Sequence, residues 1–186
     1  IDTLARHLLW LRQHDPGSKS VIFSQYRDFL QVLFDAFKRM KIGVANIVNE
    51  GSISKFRNDP SIECLLLDAK SDSSGLNLVN ATHVFLCEPL INPAIELQAI
   101  ARVHRIGQQR PTTVYMYLVS DTVEEAIYEI SVARRLAHME RGRANRHSEK
   151  SRSATPALQE SVIEAANSLE MQQVPLSKLL AQGKTG

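Results

Sequence analysis

Short apolar runs alternate along this chain with longer segments of helical periodicity, and this alternation restricts the fold more than any other feature. The runs lie at 20–24, 43–48, 62–67, 82–87 and 113–119. Most of them are apolar at consecutive positions, which is typical of strands buried on both faces of a parallel sheet. The sequence therefore predicts an α/β fold with a mostly parallel sheet that is covered by helices on both faces.

Between the runs, large apolar residues recur at intervals of three and four, as on one face of a helix. The predicted helices are 4–11, 29–40, 53–57, 94–104 and 121–141. The fourth begins at Asn92–Pro93, because Asn caps a helix and Pro is favoured in its first turn. The fifth begins at a capping box, Asp121–Glu124.

Length and composition favour one domain with an appendage. The 186 residues carry a net charge of +2, and the longest apolar run is far shorter than the ~20 residues of a membrane span. We predict a domain at 1–141 and a basic, partly disordered linker and tail at 142–186, in which 156–171 can form one more helix. From Arg134 to Arg152 there are seven basic residues and two acidic ones. This cluster either neutralises phosphates or is a solvated helix end.

The N-terminus has neither a starting methionine nor a basic signal segment, so we expect the chain to be part of a longer protein. Its two cysteines, Cys64 and Cys87, lie inside apolar runs, where free cysteine behaves as a small hydrophobe. With no secretory signal, they indicate a reducing compartment. Because the sequence has no Cys-x-x-Cys pair, we predict no metal site in this chain.

Polar residues follow several of the predicted strands, at Ser24–Gln25, 68–75 and 88–92. Ligands of parallel α/β sheets bind at the carboxyl ends of the strands. We therefore expect these loops to contribute to a binding site.

The segment 98–108, with the sequence QAIARVHRIGQ, places two arginines near the end of a predicted helix. Arg102 and Arg105 are three residues apart and so share a face, where two guanidiniums suit a phosphate group. By spacing alone, a helix with two surface arginines is the favoured explanation of the pattern.

The same segment closely resembles motif VI of superfamily-2 helicases, in the form typical of Swi/Snf-type ATPases. The resemblance implies that the chain is a RecA-like C-terminal helicase lobe of the P-loop NTPase type. It implies that Arg102 and Arg105 are catalytic, reaching across an interlobe cleft to the phosphates of ATP, and that Gln98 ties the motif to this cleft. We expect both guanidiniums to project from the ligand-facing edge of the sheet.

Two further segments resemble motifs of the same family. Residues 66–78 are similar to motif V, which implies that Gly75 and Asn77 lie at the nucleotide cleft and that Lys70 and Ser71 contact the DNA backbone. Residues 21–26 are similar to motif IV, which implies phosphate contacts for the other two predicted DNA-binding residues, Ser24 and Gln25.

Motif V departs from the common pattern, since 71–73 is Ser-Asp-Ser where most members have Ala-Gly-Gly. This variant resembles the branch that includes the SNF2, histone-linker, PHD and RING-finger helicase and its fungal relatives. The resemblance covers residues 1–141 and implies a nuclear, ATP-dependent DNA translocase of chromatin remodelling or DNA repair.

The phosphate loop G-x-x-x-x-G-K-[ST] and an Asp-Glu-x-His run are absent from the sequence. The resemblance assigns these, with Mg²⁺, to a first RecA-like lobe, which would be the partner of this chain together with double-stranded DNA or chromatin. We therefore expect the chain alone neither to bind ATP tightly nor to hydrolyse it.

Two alternatives remain open on the sequence. The motif V variant points to a branch whose members often carry a RING finger, so a ubiquitin-ligase domain can lie upstream of this chain. Alternatively, the chain is a non-catalytic fragment or decayed copy that binds DNA or a protein. The upstream sequence distinguishes these hypotheses. Zinc-binding cysteines there would indicate a ligase domain, and an intact phosphate loop would favour an enzyme over a non-catalytic fragment.

Overall fold

A computed structural model of the protein describes residues 1–69, 76–90 and 92–148. The described residues form five strands and five helices. In chain order these are α1 (Asp2–His14), β1 (Ser20–Ser24), α2 (Arg27–Arg39), β2 (Val44–Asn46), α3 (Ser52–Asn58), β3 (Cys64–Asp68), β4 (His83–Leu86), α4 (Pro93–Ile100), β5 (Thr113–Met116) and α5 (Val123–Ser148).

The five strands form one parallel sheet in the order β2-β3-β1-β4-β5. The central strand, β1, pairs Ser24 with Asp68 on one side and Phe23 with Leu86 on the other. Every residue of β1, β3 and β4 is buried. The parallel sheet predicted from consecutive apolar residues is therefore confirmed.

The two faces of the sheet bury separate apolar clusters, because successive side chains of a strand point to opposite faces. Helices α1 and α2 cover one face, which we call the α1–α2 face. Helices α3 and α4, with residues 76–81, cover the other, the α3–α4 face. The sheet contributes Ile22, Leu66 and Phe85 to the first cluster, and Phe23, Leu67 and Leu86 to the second.

Several element ends differ from those predicted. Helix α4 begins as predicted, with the side chain of Asn92 accepting from the N–H of Ala94 at 3.0 Å. It ends at Ile100, however, and not at His104. Strand β5 ends at Met116 because the residue that pairs with Met116, Leu86, is the last residue of β4. An edge strand cannot continue its ladder past the strand it pairs with.

Helix α5 continues to Ser148, past Arg141, where the sequence predicted the helix to end. At its start the hydroxyl of Thr122 accepts from the N–H of Glu124 at 3.2 Å. The carboxylate of Glu124 accepts from Val119, before the helix, so the predicted capping box is replaced by a related arrangement. The predicted helix at 156–171 lies outside the described residues, and the division into domain and tail stays a prediction.

Both cysteines are free thiols, Cys64 buried within β3 and Cys87 half-buried after β4. Burial raises the pKa of both thiols, that of Cys87 to about 12. Over the described ranges, no cluster of three or more metal-ligating side chains occurs. None of the helices described combines the length and the apolar character that crossing a bilayer requires.

A buried histidine links α1 to the strands on the α1–α2 face. His7 is inaccessible to solvent, packs against the rings of Phe85 and Tyr115, and has its Nδ1 3.0 Å from the hydroxyl of Tyr117. Burial, and secondly the charge of nearby His83, lower the pKa of His7 to about 4. The folded protein therefore keeps this imidazole neutral at neutral pH.

We expect the free energy of unfolding to fall as the pH drops from about 6.5 to about 4. The unfolded chain binds a proton at His7 from about pH 6.5 downward, whereas the folded chain binds it only near pH 4. In this window the unfolded state holds more protons, so acid favours it by up to about 1.4 kcal/mol per pH unit. Chemical denaturation at several pH values measures this slope.

The variant His7→Gln should flatten that slope but not remove it, since burial also lowers the pKa of His83. The matched control is His14→Gln, which replaces an exposed histidine on the same helix and leaves the buried His7 and its contribution to the slope in place. A slope that His7→Gln leaves unchanged would show that another group controls acid unfolding.

Candidate functional site

The loops after β1, β3 and β4 meet at one edge of the sheet, which we call the carboxyl edge. Here the N–H of Ala69 donates to the carbonyl of Ser24 at 2.9 Å, and the N–H of Gln25 donates to the carboxylate of Glu88. Arg27 forms an ion pair with Asp68 at 2.7 Å. The structure thus brings Ser24 and Gln25 together with two carboxylates, as expected for parallel strands.

Ser24 and Gln25 differ in accessibility. Ser24 is only 1% exposed, and its hydroxyl accepts from the N–H of Tyr26 at 3.1 Å. This bond shapes the loop but does not cap α2, whose N-cap is Tyr26. Gln25 is half-buried, and its amide donates to the exposed Tyr26 hydroxyl at 3.3 Å. Of the two side chains, Gln25 is the one placed to reach a ligand.

The two arginines lie in tight turns after α4, not on the helix itself. We call residues 101–108 the arginine turn. The N–H groups of Val103 and Gln108 donate to the carbonyls three residues before them, Ile100 at 3.0 Å and Arg105 at 2.9 Å. Val103 is fully buried on the α3–α4 face. The turn is therefore fixed by the apolar core beneath it.

The arginine turn is also held from outside by the connection between β3 and β4. The N–H of Leu78 donates to the carbonyl of Arg102 at 3.0 Å, and the amide of Gln108 donates to the carbonyl of Ala81 at 2.6 Å. Ala81 lies just before β4, at the amino edge of the sheet. The turn thus lies on the α3–α4 face, toward the amino ends of the strands.

The expectation that Arg102 and Arg105 project from the carboxyl edge is therefore wrong. Helix α4 starts at that edge, after β4, and runs antiparallel to the strands, so its last turn lies toward the opposite edge. The predicted site residues that the structure describes fall into two groups: Ser24 and Gln25 at the carboxyl edge, and Asn77, Gln98, Arg102 and Arg105 on the α3–α4 face.

Within the second group, Arg105 is exposed and Arg102 is half-buried. Asn77 lies next to Leu78 and is thus adjacent to Arg102, as motifs that share one cleft would be. Gln98 is exposed on α4. The predicted residues Gly75, Lys70 and Ser71 lie outside the described residues.

Sequence reasoning missed one basic residue of this group. Arg57, near the end of α3, is exposed and donates from its guanidinium to the carbonyl of Asn77. Arg57 thus stabilises the chain at Asn77, and the next residue, Leu78, donates its N–H to the carbonyl of Arg102. This contact joins residues 20 positions apart and belongs to no motif. The one sequence feature that could have indicated it is the position of Arg57 near the end of a short predicted helix.

The arrangement suits an anion better than a cation. Three arginines lie on one side of the domain: the exposed Arg105, the half-buried Arg102 and the exposed Arg57. Guanidiniums carry a permanent positive charge and bind phosphate with matched geometry. The fixed backbone of the arginine turn means that little conformational entropy is lost when such an anion binds.

Comparisons with known proteins show the family and the fold of the chain. Residues 1–107 match the family model described as the helicase conserved C-terminal domain. The human E3 ubiquitin-protein ligase SHPRH is 41% identical over 129 residues, which make up 67% of this chain and 8% of that protein. DNA repair protein rad8 of Schizosaccharomyces pombe is 36% identical over 137 residues, or 70% of this chain and 12% of that protein.

Among solved structures, the C-terminal part of the Fun30 ATPase domain is similar, with a TM-score of 0.65 and 29% identity. The similarity covers 70% of this chain and 44% of that one. The chain spans about a tenth of the length of the two curated relatives described above.

Proposed function

Because the chain belongs to the helicase conserved C-terminal domain family, as a C-terminal lobe of Swi/Snf type, we propose that it is the second lobe of an ATP-dependent DNA translocase. The RecA-like fold predicted from the motifs is confirmed by the parallel sheet and by the similarity to the Fun30 structure. The observation that carries the proposal is the bond between Leu78 and Arg102. It joins two motifs that the family resemblance assigns to one nucleotide cleft.

In this proposal Arg102 and Arg105 act on the phosphates of a nucleotide held by a first lobe. ATP supplies the phosphoryl group that is transferred to water. Arg105, exposed in a fixed turn, stabilises the negative charge that grows on the transferred group, and Arg102 senses whether the nucleotide is present. Asn77 and Gln98 hold the turn at the cleft. Mg²⁺ belongs to the first lobe, and the chain's own arginines contribute charge without it.

Arg102 and Arg105 meet the phosphates only when the two lobes are closed, so binding of ATP favours closure. Hydrolysis and phosphate release remove this attraction. If both lobes hold the DNA backbone, a cycle of closing and opening moves the enzyme along the duplex without reading its sequence.

For the DNA backbone we propose a contact from the Gln25 amide at the carboxyl edge, with the buried Ser24 positioning the loop. The half-exposed position of Gln25 supports this role. The nearby carboxylate of Glu88 accepts a backbone N–H, which ties the loop to the end of β4. Lys70 and Ser71 are proposed to contact the same backbone on the grounds of the family resemblance. The similarity to a DNA repair protein supports DNA repair in the nucleus as the setting.

We expect the isolated chain to show no ATP turnover above the buffer background, with or without DNA. Two arginines without a phosphate loop or a metal site leave the attacking water and the leaving group without stabilisation. The measurement is phosphate release by the purified chain, with the full-length enzyme as the positive control. The variant Arg105→Ala controls for contamination, since a contaminating ATPase is indifferent to it. Turnover that Arg105→Ala removes would contradict this expectation.

A second candidate function for the parent protein is ubiquitin ligation. It is favoured by the similarity to SHPRH, which is described as an E3 ubiquitin-protein ligase. A RING finger needs closely spaced cysteine and histidine ligands for zinc, and this chain has two distant cysteines. The ligase centre would therefore lie elsewhere in the parent. Counting Cys-x-x-Cys pairs in the adjoining sequence tests this, and their absence would remove the candidate.

A further inference from the structure

The tip of the arginine turn exposes an isoleucine that the proposed arginine chemistry does not use. Ile106 is 97% exposed, more than any other large apolar residue whose exposure the structure describes. It lies directly beside Arg105. A single exposed apolar side chain is common on protein surfaces, so the exposure alone carries no conclusion.

Ile106 differs from other exposed apolar residues because it lies in a rigid turn. Residues 105–108 form a turn closed by the bond from the N–H of Gln108 to the carbonyl of Arg105, and Gly107 has a φ of +104°. A positive φ at the third residue is the mark of a type II turn. The second residue of such a turn, here Ile106, points away from the chain that flanks it.

Both ends of this turn are anchored. On one side, Val103 is fully buried in the core of the α3–α4 face. On the other, the side chain of Gln108 donates to the carbonyl of Ala81 at 2.6 Å and accepts from the N–H of Arg110 at 3.0 Å. An apolar side chain held this firmly loses little backbone entropy when it is buried, which is the property of a preorganised contact.

We propose that Ile106 is the apolar contact between this lobe and the nucleotide-holding first lobe. This inference rests on the proposed function. The occupant follows from the neighbour in the same turn: Arg105 reaches phosphates only if the surface that holds them comes within a side chain's length. That surface then also covers Ile106. It must combine an anion with an apolar depression beside it.

The proposal assigns Arg105 and Ile106 different tasks. Arg105 responds to the charge of the nucleotide, whereas Ile106 stabilises the closed arrangement through apolar burial, whichever nucleotide is bound. Removing Ile106 should therefore weaken closure but leave the chemistry of the closed state intact. Removing Arg105 should weaken ATP-driven closure too, but it should also abolish turnover at saturating ATP, and kinetic measurements separate the two variants by that difference.

The test uses the full-length enzyme with a fluorescent dye on each lobe, a non-hydrolysable ATP analogue and duplex DNA. We expect Ile106→Ala to raise the analogue concentration for half-maximal closure about tenfold, from the loss of roughly three buried carbons offset by partial repacking. Turnover at saturating ATP should stay near the wild-type value. Ile106→Val should largely restore closure.

Two variants frame the result. Val32→Ala removes a half-exposed β-branched residue from α2, on the opposite face, and should leave closure unchanged. Gly107→Ala should weaken closure as well, because its φ strains the turn although a Cβ there meets no atom within 4 Å. Wild-type closure in Ile106→Ala, or an equal loss in Val32→Ala, would overturn the inference.

The same set of variants separates the inference from the proposed function. If Arg105→Ala stops turnover while Ile106→Ala closes normally, only the apolar contact is overturned. If Arg105→Ala leaves turnover unchanged, the nucleotide role of the arginine turn fails, and with it the reason for choosing the first lobe as the partner.

Discussion

Replacing Arg105 by alanine in the full-length enzyme should abolish DNA-stimulated ATP hydrolysis while leaving DNA binding nearly intact. Arginines that stabilise phosphoryl transfer from across an interface accelerate it by roughly 10³–10⁵-fold, so the loss should be of this size. Because Arg105 is exposed, its removal costs little folding stability. Steady-state turnover and a DNA-binding titration at fixed salt concentration are the two measurements.

The matched control is Arg39→Ala, which removes an exposed arginine from the end of α2, where the helix lies on the α1–α2 face. It should retain wild-type turnover. Arg105→Lys should restore little activity, because an ammonium cannot reproduce the two-pronged contact of a guanidinium. Equal losses in Arg39→Ala and Arg105→Ala would mean that overall charge, and not this position, supports turnover.

The largest effect on stability is expected for Gly43→Ala. A Cβ at Gly43 would lie 1.7 Å from the backbone carbonyl oxygen of Ser61, which is far inside van der Waals contact. The backbone of Gly43 also accepts from the N–H groups of Glu63 and Cys64, at 2.7 and 3.0 Å. The clash cannot be relieved without breaking these bonds, so we expect a loss of at least about 3 kcal/mol.

Chemical denaturation of the purified chain measures this loss. Gly17→Ala is the control, because its Cβ would meet no atom within 4 Å and only its positive φ of +80° is strained. That strain should cost about 1 kcal/mol. If Gly43→Ala is no less stable than Gly17→Ala, the close approach of the chain at Gly43 and Ser61 is not present in solution.

The sequence predicted the sheet well because its signal is local. Three consecutive apolar residues at 21–23, flanked by serines, indicated β1, and the spacing of leucines in 4–11 identified the buried side of α1. The cap at Asn92 is a contact between near neighbours, so it too could be read directly. Such features depend on interactions within a few residues of one another.

The position of the arginine turn could not be read in this way. The helical spacing of Arg102 and Arg105 predicted that α4 would extend past Ile100. The chain bends there into turns instead, and these turns are hydrogen-bonded to Leu78 and Ala81, more than 20 residues earlier in the sequence. The direction of α4, set by the topology of the sheet, decides which edge the arginines approach. The family resemblance indicated their chemistry, and only the structure located them.

The role of Arg57 was hidden for the same reason. Its partner is a backbone carbonyl, that of Asn77, which any residue would offer, so no residue type marks the contact. Ser24 shows the converse, since its motif indicated a phosphate contact whereas the structure buries it, with its hydroxyl accepting from the N–H of Tyr26. Burial depends on the whole fold and is the property that sequence patterns convey least.

The most direct test of the central claim is a structure of the full-length enzyme bound to DNA and to ADP with a phosphate analogue in the transition-state geometry. We expect the guanidinium of Arg105 to lie within hydrogen-bonding distance of that analogue, with Arg102 beside it and the first lobe holding the nucleotide. A closed complex in which both guanidiniums face solvent, or bind only carboxylates of this chain, would contradict it.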